Sequence, residues 1–174
     1  RVALNLTGIT KEEILRGHQL AKPESLLSGY MINASLSLLK DALTPLKNRT
    51  RVRLHLGTQE LIGRIILLDG KSLYPGETAM VQFRSESILS SKYGDKFIIR
   101  SFSPINTIGG GTLIDPSPIK SRRLQQDLPE RLRRLMDGDE NVRSEEVIYL
   151  RSVLGVGLSE FQIRSGLSDK DCSK

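Results

Sequence analysis

In the stretch KNRTRVRLHL, four cations stand at every second position, Lys47, Arg49, Arg51 and Arg53, and His55 follows at the same spacing. Val52, Leu54 and Leu56 occupy the alternate positions, so the segment reads as a strand with one apolar and one basic face. Fully extended, the row from Lys47 to Arg53 would run ~20 Å. Like charges held in such a row repel, so they require a counter-charge. A phosphate backbone supplies one through charge-assisted, often bidentate, arginine contacts. Acidic residues on a neighbouring strand, such as Glu60 or Glu77, supply another, and the residues alone leave both open. Lys47, Arg49, Arg51, Arg53 and His55 are therefore the candidate nucleic-acid-binding residues. A second basic set, Arg122, Arg123, Arg131, Arg133 and Arg134, is diluted by Asp127, Glu130 and Asp137 and reads as a solvated helix face.

TIGGGTLIDPSP, residues 107–118, raises the question of a phosphate-binding loop. A Walker loop needs GxxxxGK followed by Ser or Thr, and here Thr112 and Leu113 follow the glycines with no lysine. The dinucleotide fingerprint fails on spacing and lacks a surrounding βαβ unit. Gly109, Gly110 and Gly111 read better as structural glycines, where a strand bends or a neighbouring backbone comes close. Two distant histidines, His18 and His55, and one cysteine, Cys172, cannot make Cys/His zinc spacing. No catalytic residue and no metal site is assigned, and the chain by itself is expected not to be an enzyme.

The 174 residues carry a net charge of +6, are 38% hydrophobic and only 5% aromatic, and contain no tryptophan. That supports a real core and argues against a surface of stacked aromatic platforms for single strands. The positive excess sits in residues 1–118, with 15 Lys/Arg against 10 Asp/Glu. A field of that sign favours anionic partners. A lone cysteine fits a reducing, cytoplasmic setting, and no apolar run approaches the ~18–20 residues of a membrane helix, so no membrane partner is expected.

The positioning elements follow from periodicity. RVALNL alternates and reads as a strand, and a second short strand is expected through Gln19 and Leu20. Further strands are expected at 31–39 (with Ile32, Ala34, Leu36 and Leu38 inward), 49–56, 59–69, Met80–Phe83, 96–102 and 107–114. Turns fall at Gly57-Thr58, Asp69-Gly70, Pro75-Gly76 and Gly94-Asp95, and Gly63 marks a bulge or close approach. Some six closely spaced strands with no helix between them exclude a doubly wound sheet and predict a mostly β fold, a closed antiparallel barrel. After Pro118 the pattern turns helical. Pro129 suits a helix start, and a second helix over 139–153 offers Val142, Val147, Ile148, Leu150 and Val153 to a core. Ser159 to Gln162 fits a capping box, with Gly166 as the stop. This is the outline of a helix-turn-helix, ending at Lys174 where a recognition helix would begin.

The run LHLGT, PGE, GDKFIIR and TIGGG, in that order, resembles the bacterial selenocysteine-specific translation elongation factor family over roughly residues 1–123. The resemblance implies a partition into 1–29 (end of a second β-barrel domain and linker), 30–118 (the third-domain β-barrel) and 119–174 (the helical start of a truncated winged-helix domain). It implies an intact factor that carries selenocysteinyl-tRNA to the ribosome as a GTP complex with magnesium. GTP would be held by a GTPase domain whose GxxxxGK[ST] and NKxD motifs are not in this chain, so the fragment itself needs no cofactor. The mRNA-hairpin-binding winged helices are likewise missing. It implies tRNA backbone contacts for the basic row. A purely structural interdomain scaffold is the alternative, and a DNA-binding regulator built on the helix-turn-helix a weaker one.

Overall fold

The computed structural model describes residues 3–119, 127–151 and 154–168. Its strands are β1 (Leu27–Leu38), β2 (Leu46–Lys47), β3 (Arg51–Leu56), β4 (Gln59–Leu67), β5 (Ser72–Leu73), β6 (Thr78–Ser91), β7 (Lys96–Ser101) and β8 (Thr107–Pro116). Six of them close into an antiparallel barrel in the order β1-β6-β4-β3-β7-β8, while β2 and β5 pair as a separate ribbon. The alternating positions fill the barrel: Ile32, Ala34, Leu36 and Leu38 from β1, and Val52, Leu54 and Leu56 from β3, are all buried. β6 is much longer than the Met80–Phe83 segment that alternation marks. Its second half, RSESILSS, is mostly polar, yet it pairs with β1 from Ser91 back to Thr78 across a register shift near Gly29.

Closure depends on β8, which pairs with both β1 and β7. A Cβ on Gly111 would lie 1.9 Å from the Ser35 carbonyl oxygen, one on Gly109 2.5 Å from that of Ser37, and one on Gly110 2.8 Å from that of Phe97. The three glycines thus sit where neighbouring backbone occupies the space of a side chain.

Residues 3–26 differ from the expectation. Neither RVALNL nor the segment through Gln19 and Leu20 forms a strand among the described residues, and the only regular element there is a 3-10 turn at Lys11–Glu13. Alternation supplies a face, but a strand also needs a ladder partner; Leu4, Leu6 and Leu20 remain exposed.

Three helices follow the barrel: α1 (Leu128–Asp137), α2 (Glu140–Arg151) and α3 (Leu158–Ser165). Pro129 lies in the first turn of α1, where its missing N–H costs nothing. Leu128, Leu132 and Leu135 form one stripe of α1 and pack with Val147 of α2 against Met80 and Ile114 on the outside of the barrel. Ile148, expected in the core, is 56% exposed, because the buried face of α2 runs through Glu146 and Val147. The side chain of Val153 lies outside the described residues. The Ser159 capping box is also corrected. The helix begins at Leu158 after Gly157, and Ser159 Oγ donates to Glu24 Oε2 at 3.1 Å instead. Gly166 ends α3 in the left-handed region. Residues 169–174, where a recognition helix was expected to open, lie outside the described residues.

A polar seam runs under the helices. Gln82 Nε2 donates to Asn33 Oδ1 (3.1 Å), and Asn33 Nδ2 donates to Asp115 Oδ2 (3.3 Å). Arg164 of α3 donates from Nη1 to Asp115 Oδ1 (2.5 Å) and to the Pro116 carbonyl (2.7 Å). All four side chains are buried. Burial pushes the Asp115 carboxyl up to about 6, against the opposing pull of Arg164.

Two measurements check these arrangements. Gly111→Val should cost about 3 kcal/mol or more of stability, and Gly110→Val should lower the melting temperature less, following the 1.9 Å and 2.8 Å approaches. Equal losses would contradict closure by backbone approach. For Asp115, a raised native pKa means the folded state holds the proton more firmly than the unfolded one. Its contribution to stability is therefore full below about pH 4 and is lost as pH rises through about 6. Urea titrations from pH 4 to 7 should show Asp115→Asn lacking that decline, on top of a pH-independent loss from the abandoned Arg164.

Candidate nucleic-acid interface

The basic row does not form one extended strand. Lys47 lies in β2, opposite Ser72. Thr50 then turns the chain, donating from its N–H (3.2 Å) and its Oγ1 (2.7 Å) to the Lys47 carbonyl. Arg49 sits within that turn at φ +67, its N–H donating to the Ile65 carbonyl at 2.7 Å. Only Arg51, Arg53 and His55 share β3, so the predicted single row divides into a turn and a strand.

Pairing extends the patch sideways. Directly opposite residues of antiparallel strands project on the same face. Arg51 of β3 stands opposite Arg64 of β4, and Arg64 opposite Arg84 of β6. Arg53 stands opposite Arg100 of β7. Five arginines from four adjacent strands therefore share the outer face of the barrel, with Lys47 and Arg49 on the neighbouring turn. Like charges facing each other across strands destabilise a sheet by about 0.2–1 kcal/mol each.

Two carboxylates offset part of this. Arg51 makes a bidentate pair with Glu86 (Nε–Oε1 3.0 Å, Nη2–Oε2 2.8 Å), and Arg53 pairs with Glu60 at 2.5 Å. The Arg53 hydrogen bond holds the Glu60 carboxyl below the usual carboxylate range. Of the two acidic partners considered from sequence, Glu60 takes the role. Glu77 instead accepts from the Tyr74 N–H at 2.9 Å. Arg51 and Arg53 also stack over the Phe102 ring, 4.3 and 5.2 Å from its centroid. Arg64, Arg84, Arg100, Lys47 and Arg49 make no ion pair among the described residues. Arg64 donates to the Arg49 carbonyl (3.1 Å) and Arg84 to Gln82 Oε1 (2.8 Å). Arg53 Nε, Arg100 Nε and His55 Nε2, on β3 and β7, are buried without a hydrogen-bond partner among the described residues.

The second basic set is engaged in the helices. Arg131 pairs with Asp127 (2.6 Å) and Glu146 (3.0 Å) and stacks on Tyr149; Arg133 pairs with Asp69, and Arg134 with Glu146 (3.0 Å). Arg122 and Arg123 lie outside the described residues. Gly109, Gly110 and Gly111 lie within β8, a barrel strand, rather than in an open loop. No group of three or more potential metal ligands occurs among the described residues.

Arg64, Arg84 and Arg100 escaped the sequence reading because each lies on its own strand, β4, β6 and β7, and Phe102 because it lies in the loop just after β7. Arg64 was within reach of it. The two-residue turn at Gly57-Thr58 sets the β3–β4 register, and counting outward from it places Arg64 opposite Arg51.

Residues 33–120 match the family "Selenocysteine-specific elongation factor, beta-barrel domain". A selenocysteine-specific elongation factor from Desulfomicrobium baculatum is 40% identical over 128 residues, which cover 74% of this chain and 20% of that protein. The crystal structure of a bacterial selenocysteine-specific elongation factor, EF-Sec, superposes with a TM-score of 0.71 at 20% identity, covering 94% of this chain and 25% of that one. The chain thus spans about a fifth to a quarter of the length of these relatives.

The left-handed backbone at Arg49 generates a test. A side chain there costs about 1 kcal/mol that glycine avoids. Arg49→Gly should melt at or above the temperature of the parent, whereas Arg49→Val should melt several degrees below it. A marked drop for the glycine variant would mean that the arginine side chain itself holds the turn.

Proposed function

The chain belongs to the selenocysteine-specific elongation factor family, and on that premise we propose that it is the RNA-facing barrel module of such a factor, non-catalytic by itself. In this reading the intact protein delivers selenocysteinyl-tRNA to the ribosome as a GTP complex. The nucleotide and its magnesium belong to a GTPase domain, and the barrel contributes tRNA backbone contacts and interdomain packing. Residues 1–29 are then the end of the preceding barrel domain with its linker, 30–118 the third-domain barrel and 119–174 the start of a winged-helix region. The site of action is cytoplasmic.

The arginine patch carries the reading. Five arginines on one outer face are offset by two carboxylates, Glu60 and Glu86, and three of those arginines lack any ion pair among the described residues. Phosphates would give Arg64, Arg84 and Arg100 the anionic partners they lack among the described residues. Such contacts would position an RNA without reading its sequence. A scaffold role has its own support on the other side of the barrel, where Met80 and Ile114 are covered by α1 and α2. The two roles occupy different faces.

The test is titration of selenocysteinyl-tRNA, beside an ordinary elongator tRNA, against the chain and its Lys47, Arg49, Arg51, Arg53→Ala variant at two salt concentrations. The RNA-facing reading expects at least tenfold weaker binding in the variant, with an unchanged circular dichroism spectrum. Its log–log salt slope should be shallower by roughly 0.7–0.9 for each phosphate that the variant leaves without a cation. Preference for selenocysteinyl-tRNA would add that the barrel discriminates. Unchanged affinity and slope would give the patch to an interdomain contact.

A further inference from the structure

A cleft of about 700 Å³ opens at one end of the barrel beside the arginine patch, between the β1–β2 connection and the β7–β8 loop. Its walls are held by their own hydrogen bonds. The Ser101 N–H donates to the Asn106 carbonyl (2.9 Å) and the Asn106 N–H to Ser101 Oγ (3.0 Å). On the other wall, the Leu39 N–H donates to the Ile108 carbonyl (2.9 Å) and the Ala42 N–H to the Leu39 carbonyl (3.2 Å). The site is therefore preformed.

Its lining contrasts with its walls. Phe102 lies in it, with the Arg51 guanidinium stacked on the ring. Asp41, Thr44, Ser103, Asn106 and Thr107 line it too, and none of their side chains makes a hydrogen bond among the described residues. An aromatic surface ringed by uncommitted donors and acceptors, in a volume typical of small-ligand sites, suits a flat, polar-edged group.

We propose that this cleft takes an unpaired nucleobase of the RNA whose phosphates lie on the arginine patch; the proposal rests on the patch being an RNA face. Arg51 belongs to both features, so a strand crossing the patch can drop one base into the cleft without leaving the cationic surface. Bases stack on aromatic rings and on arginine planes whatever their identity. The edge contacts discriminate. The Asp41 carboxylate accepts only, so it favours guanine, whose N1–H and N2 amino donors lie side by side, above uracil, whose single N3–H lies between two carbonyls. The Asn106 amide serves either edge.

The experiment follows the backbone amides of the isotope-labelled 174-residue chain by NMR during titration with millimolar 5′-GMP, CMP, AMP, UMP and, for the phosphate alone, ribose 5-phosphate. The proposal expects nucleotides to shift the amides of residues 41–44 and 101–107, with GMP at least threefold tighter than UMP, and ribose 5-phosphate to leave them in place. Phe102→Leu should weaken the nucleotides at least fivefold, and Asp41→Asn should erase the preference for GMP. Shifts confined to the arginine patch, or equal shifts with ribose 5-phosphate, would overturn the base site while leaving the RNA face intact. Response to a leucine-rich heptapeptide and not to nucleotides would assign the cleft, whose rim includes the exposed Leu43, to a protein partner. Loss of tRNA binding altogether in the salt titration would remove the RNA face itself, a separate result.

Discussion

To close a sheet upon itself, the last strand must hydrogen-bond along both edges while its neighbours curve inward around it. β8 meets this demand between β1 and β7, and the residues at the tightest approach, Gly109 to Gly111, have no side chains to resist it. Closure removes the exposed edges that an open sheet would present. It also fixes inward and outward for every strand. The aliphatic alternation of β1, β3, β4 and β7 then fills the interior, and each intervening residue is committed to the outer surface. The arginine patch is a consequence of this geometry, since only a register held around the whole barrel brings Arg51, Arg64 and Arg84 side by side.

That outer surface is divided between two uses. On the side of β1, β6 and β8 it is covered by the helices. Met80 and Ile114 meet the leucines of α1, and the polar positions beside them are joined in a directional series of hydrogen bonds. Gln82 donates to Asn33, and Asn33 to Asp115; with Arg84 donating at one end and the Asp115 carboxylate accepting at the other, both amides have a single consistent orientation. Arg164 of α3 completes the seam. A half-satisfied buried network would favour separation of helices and barrel, and a satisfied one fixes how they dock. Arg84 is the residue where the covered side meets the charged side.

Much of this was legible in the sequence where a local rule was sufficient. Ile32, Ala34, Leu36 and Leu38 alternate without interruption, and their burial follows from strand periodicity alone. The β3–β4 hairpin was likewise readable from Gly57-Thr58. The failures have a common cause. RVALNL alternates as well as β1 does, but pairing is a property of two segments, and no described residue pairs with it. Ile148 has the right residue type on a helix whose buried side is chosen by Leu132 and Met80, residues remote from it in sequence. Lys47 to Arg53 has the right spacing for one strand, but Thr50 bonds back to Lys47 and turns the chain. The candidate site was therefore half visible. Its β3 members stood in a row, and its members on β4, β6 and β7 became neighbours only through the register of the closed sheet.

The residue type in the patch bears on how it can exist without a ligand. Guanidinium groups are planar and weakly hydrated, so they stack and share acceptors where ammonium groups would only repel. Arg51 and Arg53 do both, lying over Phe102 while Glu86 and Glu60 accept their hydrogen bonds. Exposed pairs of this kind contribute only about 0.2–1 kcal/mol. Exchanging such a carboxylate for a phosphate therefore changes the free energy little in either direction. The affinity of the patch must come instead from the cations that have no such partner among the described residues, Arg64, Arg84 and Arg100 with Lys47 and Arg49 beside them. On this argument the carboxylates only offset the repulsion along β3 while the patch is empty, and the residues that bind most strongly are chiefly those the sequence row did not contain.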